Sequence, residues 1–431
     1  MYRDISELLV YGVEEDSILA RLGEVFRRWK DGERGAALVQ ELHAQARRLL
    51  ELASAYGVDG DLWRFYLAWL LVMNENAFSL ACEGLGPPGG SLDGLARRDL
   101  KVFLRLFAFD FGPIELSLNT DCFTALRAFS SFRGRAWNPA GELVQDLSNR
   151  LALSRNAHDA LLCLAEFYRR QGVGLLGLHP AFRLSGGGGG LSLTPVHGLE
   201  GVFLKDIVGY EEQKHQLAAN TAAFVAGRPA NNVLLYGDGG TGKSTSIRAL
   251  VNDHAGSSLR LIEVYRHQFR ALPDLMASLR GRRYRFILFI DDLSFEEQET
   301  QYKPLKAAIE GGLETMPENV RIYATSNRRH LVREVWRDRD DMEHRGDIHR
   351  SDTVEEKLSL ASRFGLAINY SVPNRKGYHA IVRALAKSAG LTLNDDELIA
   401  GANAWEIRHG GPSGRAVRQY IDHIMNLEEY S

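Results

Sequence analysis

Cysteine is scarce in this sequence: three residues in 431, Cys82, Cys122 and Cys163, at intervals of about 40 residues. None stands in a C-x-x-C pair, and an odd count leaves one unpaired. The pattern supports neither a disulfide framework nor a zinc site, and reduced thiols in an intracellular protein are expected. An excess of either charge is also missing, with 52 Lys+Arg against 55 Asp+Glu and a net charge of −3. Such a balance exerts no global pull toward nucleic acid or anionic membrane. Long apolar runs are absent as well. The most apolar stretch, Phe65 to Met73, is bracketed by Arg64 and Asn74–Glu75 and falls far short of the roughly 20 residues a membrane span needs. The N-terminal segment MYRDISELLVYGVEEDS has no apolar run followed by a small-residue cleavage site, so no signal peptide is expected. Together these absences point to a cytoplasmic protein without a membrane partner. The 45% hydrophobic and 25% charged content is that of a globular chain, with room for about two to four domains.

Residues 1–184 read as an all-α domain. Leu38, Leu42, Ala46, Leu49 and Ala53 form one helical stripe; Val144, Leu147 and Leu151 form another, and Leu161, Leu164 and Tyr168 a third. Breaks are expected at GPPGG (86–90), FGP (111–113) and WNP (137–139). The aromatics Trp63, Phe65, Tyr66 and Trp69 read as core. Gly186 to Gly190 are five consecutive glycines, and residues 185–200 are expected to be a flexible linker. From there the pattern changes. NNVLLYG (231–237), LRLIEV (259–264), YRFILFIDD (284–292), NVRIYATSN (319–327) and GLAINYSV (365–372) have strand length, with helical segments between them near 243–253, 271–280, 303–314 and 353–363. Alternation of this kind predicts an α/β core over 201–374, a parallel sheet with helices on both faces. Residues 375–431 turn helical again.

Gly237-Asp238-Gly239-Gly240-Thr241-Gly242-Lys243-Ser244 matches G-x-x-x-x-G-K-[ST] in full, between a strand and a helix. Glycines let successive backbone N–H groups converge on phosphate oxygens, and the helix adds its positive dipole end. Lys243 would reach the β/γ-phosphates and the Ser244 hydroxyl would bind Mg²⁺, with Thr245 next in the helix. Gly237, Gly239 and Gly242 also spell G-x-G-x-x-G, with Glu263 at the end of the following strand, as in a dinucleotide site. That rival has no use for Lys243–Ser244 or for the paired acids that end a later strand. Those acids are Asp291, suited to the Mg²⁺ shell, and Asp292, suited to orienting or deprotonating the attacking water. Asn327 ends another strand where γ-phosphate and water would lie. Glu296 and Glu297 read as solvated.

Phosphate loop, strand-borne acids, strand-ending Asn and trailing helices together resemble an AAA+ ATPase. The wording of NNVLLYGDGGTGKS, LRLIEV, FILFIDDLSFEE, IYATSNRRHL, EEKLSLASRFGL and SGRAVRQY is similar to a bacterial AAA+ family catalogued as a domain of unknown function, over roughly 197–431. The resemblance implies strand order 5-1-4-3-2, a helical lid, and ATP at the subunit interfaces of a homo-oligomer, commonly a hexamer. It implies a Walker A loop at Gly237–Ser244, Walker B acids at Asp291–Asp292 and sensor 1 at Asn327. Asp292 departs from the usual pattern, in which Glu stands there. Arg363 of SRFG, at the end of a helix capped by Gly365, resembles an arginine finger; the alternative is an Arg that satisfies helix C-terminal carbonyls. Arg418 matches sensor 2, with Arg415 as alternate. Val208 and Gly209 of DIVGYEEQ fall where such proteins pack backbone on adenine.

The expected function is Mg²⁺-dependent ATP hydrolysis that remodels an unidentified macromolecular partner, recognised by the N-terminal helices. A slow ATP-dependent assembly switch is the alternative that Asp292 suggests. A nucleic-acid loader is the third, and the charge balance weighs against it. RDRDDMEHRGDIHRSD (337–352), with His344, Asp347 and His349, reads as an exposed loop and not a metal site. Arg328, Arg329 and His330 read equally as a partner contact or a solvated basic cluster.

Overall fold

The computed structural model describes residues 1–130, 138–187, 190–196, 199, 201–295, 302–310, 315–327, 360–409 and 411–428. The chain divides between His179 and Pro180 into two units.

In the first unit, short polar side chains start five of the described helices. Ser17 accepts from the Ala20 N–H, Asp61 from Arg64, Asn76 from Phe78 and Ser79, and Asn156 from His158 and Asp159. Asn138 does the same ahead of Pro139, at the break expected there. These caps open helices Ile18–Lys30, Leu62–Met73, Ala77–Leu85, Ala157–Arg170 and Pro139–Ala152. The stripes Leu38–Ala53, Val144–Leu151 and Leu161–Tyr168 are buried, as their 3.6-residue period requires. Leu62–Met73 is apolar nearly all round and sits in the core. Within it the Trp63 indole donates to the Leu106 carbonyl at 2.8 Å, and the Tyr66 hydroxyl accepts from the Leu19 N–H at 2.9 Å. The aromatic cluster is therefore core packing, with the polar tips of Trp63 and Tyr66 satisfied. Buried Asp99 accepts from the Leu9, Val10 and Tyr11 amides, which ties the N-terminal segment to helix Gly90–Phe107.

The second unit carries a mixed sheet of seven strands. They are β1 (Ala181–Gly187), β2 (Gly190–Pro195), β3 (Val233–Gly237), β4 (Leu259–Glu263), β5 (Arg285–Ile290), β6 (Val320–Ser326) and β7 (Leu366–Tyr370). They lie in the order β2-β1-β4-β5-β6-β3-β7, all neighbours parallel except β1 and β2. Phe286 to Ile290 of central β5 are all buried, so both sheet faces are covered there, whereas edge strand β7 alternates.

One expectation is corrected. Residues 181–187 and 190–195, read as the end of a helical domain and a glycine linker, pair as the antiparallel arms of a β-hairpin, and β1 pairs with β4 through Ala181–Arg183. Ala181, Phe182 and Leu184 are buried. Phe182 and Leu184 alternate with exposed Arg183, the period of a half-buried strand, despite the glycines that follow. The helical part therefore ends at Leu178, ahead of the expected boundary at 184.

Helices Arg375–Ser388, Asp395–Arg408 and Gly414–Glu428 pack around their own core of Tyr378, Val382, Ala402 and Val417. No helix among the described residues is long and apolar enough to cross a membrane.

Candidate functional site

The loop after β3 is built on backbone that only glycine adopts freely. Gly237, Gly240 and Gly242 have φ of 128°, 75° and 90°. A Cβ on Gly237 would run into the Tyr370 carbonyl of β7, and one on Gly240 would press on Ser413 and Arg415 at the start of the last helix. Gly242 ends the loop, and helix Lys243–Asp253 begins at once, so its first N–H groups open into the loop.

Lys243 folds into this loop. Its ammonium donates to the Gly237 carbonyl at 2.9 Å, the Asp238 carbonyl at 2.5 Å and Asn327 Oδ1 at 3.1 Å. Burial lowers its pKa from the ordinary lysine value, against the pull of the Asp238, Asp292 and Asp291 carboxylates. The Ser244 hydroxyl donates to Asp291 Oδ1 at 2.6 Å, and the Thr325 hydroxyl of β6 donates to the same oxygen at 2.5 Å. Asp291 Oδ2 faces Arg248 at 3.6 Å, one helical turn beyond Ser244. Asn327 donates to Asp292 Oδ1 at 3.2 Å. The ends of β3, β5 and β6 thus bring an ammonium, a hydroxyl, two carboxylates and an amide together. This is the carboxyl end of a parallel sheet, where open α/β sheets place ligands.

A cavity of about 560 Å³ opens over these groups, a size in the range of small-molecule sites. Its polar floor is Gly239–Thr245 with Asp291, Asp292 and Asn327; Ile207, Val208, Ile381 and Leu385 supply an apolar wall. The wall is fixed from below, since buried Lys214 donates to the Ile207 carbonyl at 2.6 Å. Nearby, Tyr210 stacks on Tyr370 and donates to the Ser371 carbonyl at 2.9 Å.

A family model described as "Protein of unknown function (DUF815)" matches residues 178–428, more than half of the 431-residue chain. The chain belongs to this family. Its span coincides with the sheet-bearing unit and leaves most of the first unit outside. Among solved structures, the Thermotoga maritima RuvB Holliday junction branch migration motor is similar at 15% identity and a TM-score of 0.32, over 51% of this chain and 71% of that one. Two point variants of Thermotoga maritima RuvB give 17% and 16% identity, each with a TM-score of 0.33, over 51% of this chain and 71% and 72% of theirs.

Within the DUF815 region, the sequence-expected residues sort by position. Gly239, Gly240, Thr241, Gly242, Lys243, Ser244, Thr245, Asp291, Asp292, Asn327, Val208 and Arg418 line the cavity, and Arg415 does too. The Arg415 amide also lies 3.4 Å from the Gly240 carbonyl. Gly237 and Asp238 stand at the loop's root, and the Asp238 carboxylate is spent on the Val372 N–H at 2.8 Å. Gly209 has φ 79° and lies outside the lining. Arg363 is exposed, also outside it. Gly365 is not a left-handed cap; a Cβ there would collide with the Asn231 side chain. Glu263 is engaged by Arg183 at 3.2 Å, Tyr265 at 3.2 Å and Arg248 at 3.9 Å, which occupies the acid a dinucleotide site would need. Glu296, Glu297, Arg328, Arg329, His330 and the 337–352 stretch lie outside the described residues.

Sequence reasoning missed Thr325, Arg248, Ile381 and Leu385. Thr325 was in view inside YATSN, two residues before Asn327, so strand alternation puts both on one face. Arg248 follows Ser244 at i+4. Ile381 and Leu385, from helix Arg375–Ser388, carry no local signal.

Proposed function

We propose that this DUF815 protein is an AAA+ ATPase that binds ATP and Mg²⁺ and couples hydrolysis to movement of its helical lid. One observation carries the reading: the Ser244 hydroxyl of the glycine loop and the Asp291 carboxylate of β5 meet at 2.6 Å beside buried Lys243. A strand order of 5-1-4-3-2, counting β3 as first and β7 as fifth, supports it. The hard oxygen donors of Ser244 and Asp291 suit Mg²⁺, which prefers oxygen ligands and is held by one or two carboxylates plus substrate phosphates. When bound, Mg²⁺ supplies charge neutralisation at the phosphate oxygens.

Each residue then has a task. The amides of Gly239–Ser244 and the Lys243 ammonium hold the phosphates. Asp292 accepts a proton from, or orients, the attacking water, with Asn327 fixing its carboxylate. Val208, Ile381 and Leu385 cover the base. Arg418, or Arg415 beside it, brings the lid onto the phosphates. Arg363 acts on the nucleotide of a neighbouring subunit in a homo-oligomer. The first unit recognises the macromolecular partner in the cytoplasm.

The test is ATP hydrolysis against protein concentration, with mass photometry on the same samples with and without ATP–Mg²⁺. Specific activity that rises as an oligomer assembles supports the reading. A protein that neither binds nor hydrolyses ATP at any concentration overturns it.

A further inference from the structure

Asp292 is one of three non-glycine residues with positive φ among those described, at 50°. Hydrogen bonds on both its amide and its carbonyl hold it there. The Asp292 N–H donates to Thr325 Oγ1 at 3.0 Å, and its carbonyl accepts from the Arg266 guanidinium at 3.1 Å. Arg266 comes from the short 3₁₀ turn Arg266–Ala271 after β4, and it also donates to the Ser294 hydroxyl at 3.1 Å. The next residue is fixed too, since the Leu293 N–H donates to the Thr325 carbonyl at 2.7 Å. Leu293 and Phe295 are then buried in the core. The chain therefore bends two residues beyond the end of β5, and the bend is made at Asp292.

Left-handed backbone crowds Cβ against the following carbonyl in most L-residues, and Asp and Asn are among the few that visit it routinely. We propose that position 292 carries Asp because this turn is left-handed, and that Arg266 is a positioning residue that clamps the turn and thereby aims the Asp292 carboxylate. Arg266 touches no reacting atom in this scheme; it acts on the peptide whose side chain does. The shorter acid is then the fitted one, and it meets Asn327 Nδ2 at 3.2 Å from a backbone already turned toward it. Thr325 is the clamp's second jaw, with one hydroxyl that serves both Asp291 and the Asp292 amide.

The catalytic half of this inference rests on the ATPase reading; the conformational half does not. The experiment measures thermal unfolding of the full chain, ATP affinity and steady-state hydrolysis for Asp292→Glu, Asp292→Asn, Asp292→Gly, Arg266→Ala and Arg266→Lys. Asp292→Glu is expected to melt about 3 °C below wild type and to hydrolyse more slowly, although it restores the acid the resemblance leads one to expect. Asp292→Asn and Asp292→Gly, which suit left-handed backbone, are expected to melt at or above wild type. Arg266→Ala should lower kcat about 10- to 100-fold with ATP affinity within about twofold, and Arg266→Lys, which keeps a donor, should fall between. An Asp292→Glu variant as stable and active as wild type, or an Arg266→Ala variant with unchanged kcat, overturns the proposal. A wild type that binds and hydrolyses no ATP defeats the ATPase reading and with it the role of Arg266. The melting order then still decides the left-handed turn.

Discussion

Lys243 is held by three neutral oxygens and surrounded by three carboxylates. Alanine at this position removes the cation that balances Asp238, Asp291 and Asp292, together with the proposed donor to phosphate. Lys243→Ala is expected to lose at least about 10- to 100-fold in ATP affinity, the worth of one hydrogen bond to a charged group; calorimetric titration checks it, and unchanged affinity would sink the assignment. Thr325→Val tests a second residue. It keeps the β-branched shape but strips a hydrogen bond from Asp291 and another from the Asp292 amide, and it should raise the Mg²⁺ concentration for half-maximal hydrolysis. At this scale the sequence was most legible where the candidate site is contiguous. The eight-residue loop from Gly237 to Ser244 declares itself because every member is adjacent in the chain, and Asp291–Asp292 declare themselves as acids ending an apolar run. Arg266 and Arg248 were illegible because their meaning is the atom they reach across the fold, which no spacing within their own segments reveals.

The elements were legible where burial imposes a period. Strands β3 to β7 are runs of strand length, and the helical stripes of the first unit repeat at 3.6 residues. The β1–β2 hairpin escaped because Gly186–Gly190 dominate its composition, while the residues that decide its structure, Phe182 and Leu184, are only two. Its contribution can be measured. A fragment of residues 180–431 should unfold at a higher denaturant concentration than one of 201–431, which lacks the strand paired with β4. Burial of Phe182 and Leu184 alone is worth roughly 3–6 kcal/mol. Equal midpoints would show the hairpin to be ornamental. Helix Leu62–Met73 offers a pH prediction. Burial raises the Tyr66 pKa to about 12, above the value of about 10 in an unfolded chain. The raised folded-state value means that this stability is fully present below about pH 10 and is lost as pH climbs toward 12, at about 1.4 kcal/mol per pH unit. Denaturant midpoints at pH 9 and 11.5 should differ in that direction, and Tyr66→Phe should flatten the dependence while costing stability at pH 9 through the orphaned Leu19 amide.

At the scale of the molecule, the proposed subunit cooperation makes a demand that a self-sufficient enzyme does not. Arg363 is exposed and outside the cavity of its own chain. Arg363→Ala and Asp292→Asn should each be inactive alone, yet a mixture of the two should regain activity, since one supplies the intact water site and the other the intact arginine. No recovery on mixing would place each site wholly within one chain. The division between the two units falls at His179/Pro180 and not in the glycine run, where the change in periodicity along the chain led one to expect it.

On the proposed ATPase reading, the junction at Gly240 would set a clock. The phosphate loop and the first residues of the last helix touch there so closely that a single methyl group would press on Ser413 and Arg415. A polyphosphate seated in that loop would have its exit overhung by the helix start, so dwell time would follow the opening of the lid more than the strength of any one bond to the nucleotide. A bulky side chain at 240 would act as a wedge, shortening that dwell and quickening turnover at the expense of affinity.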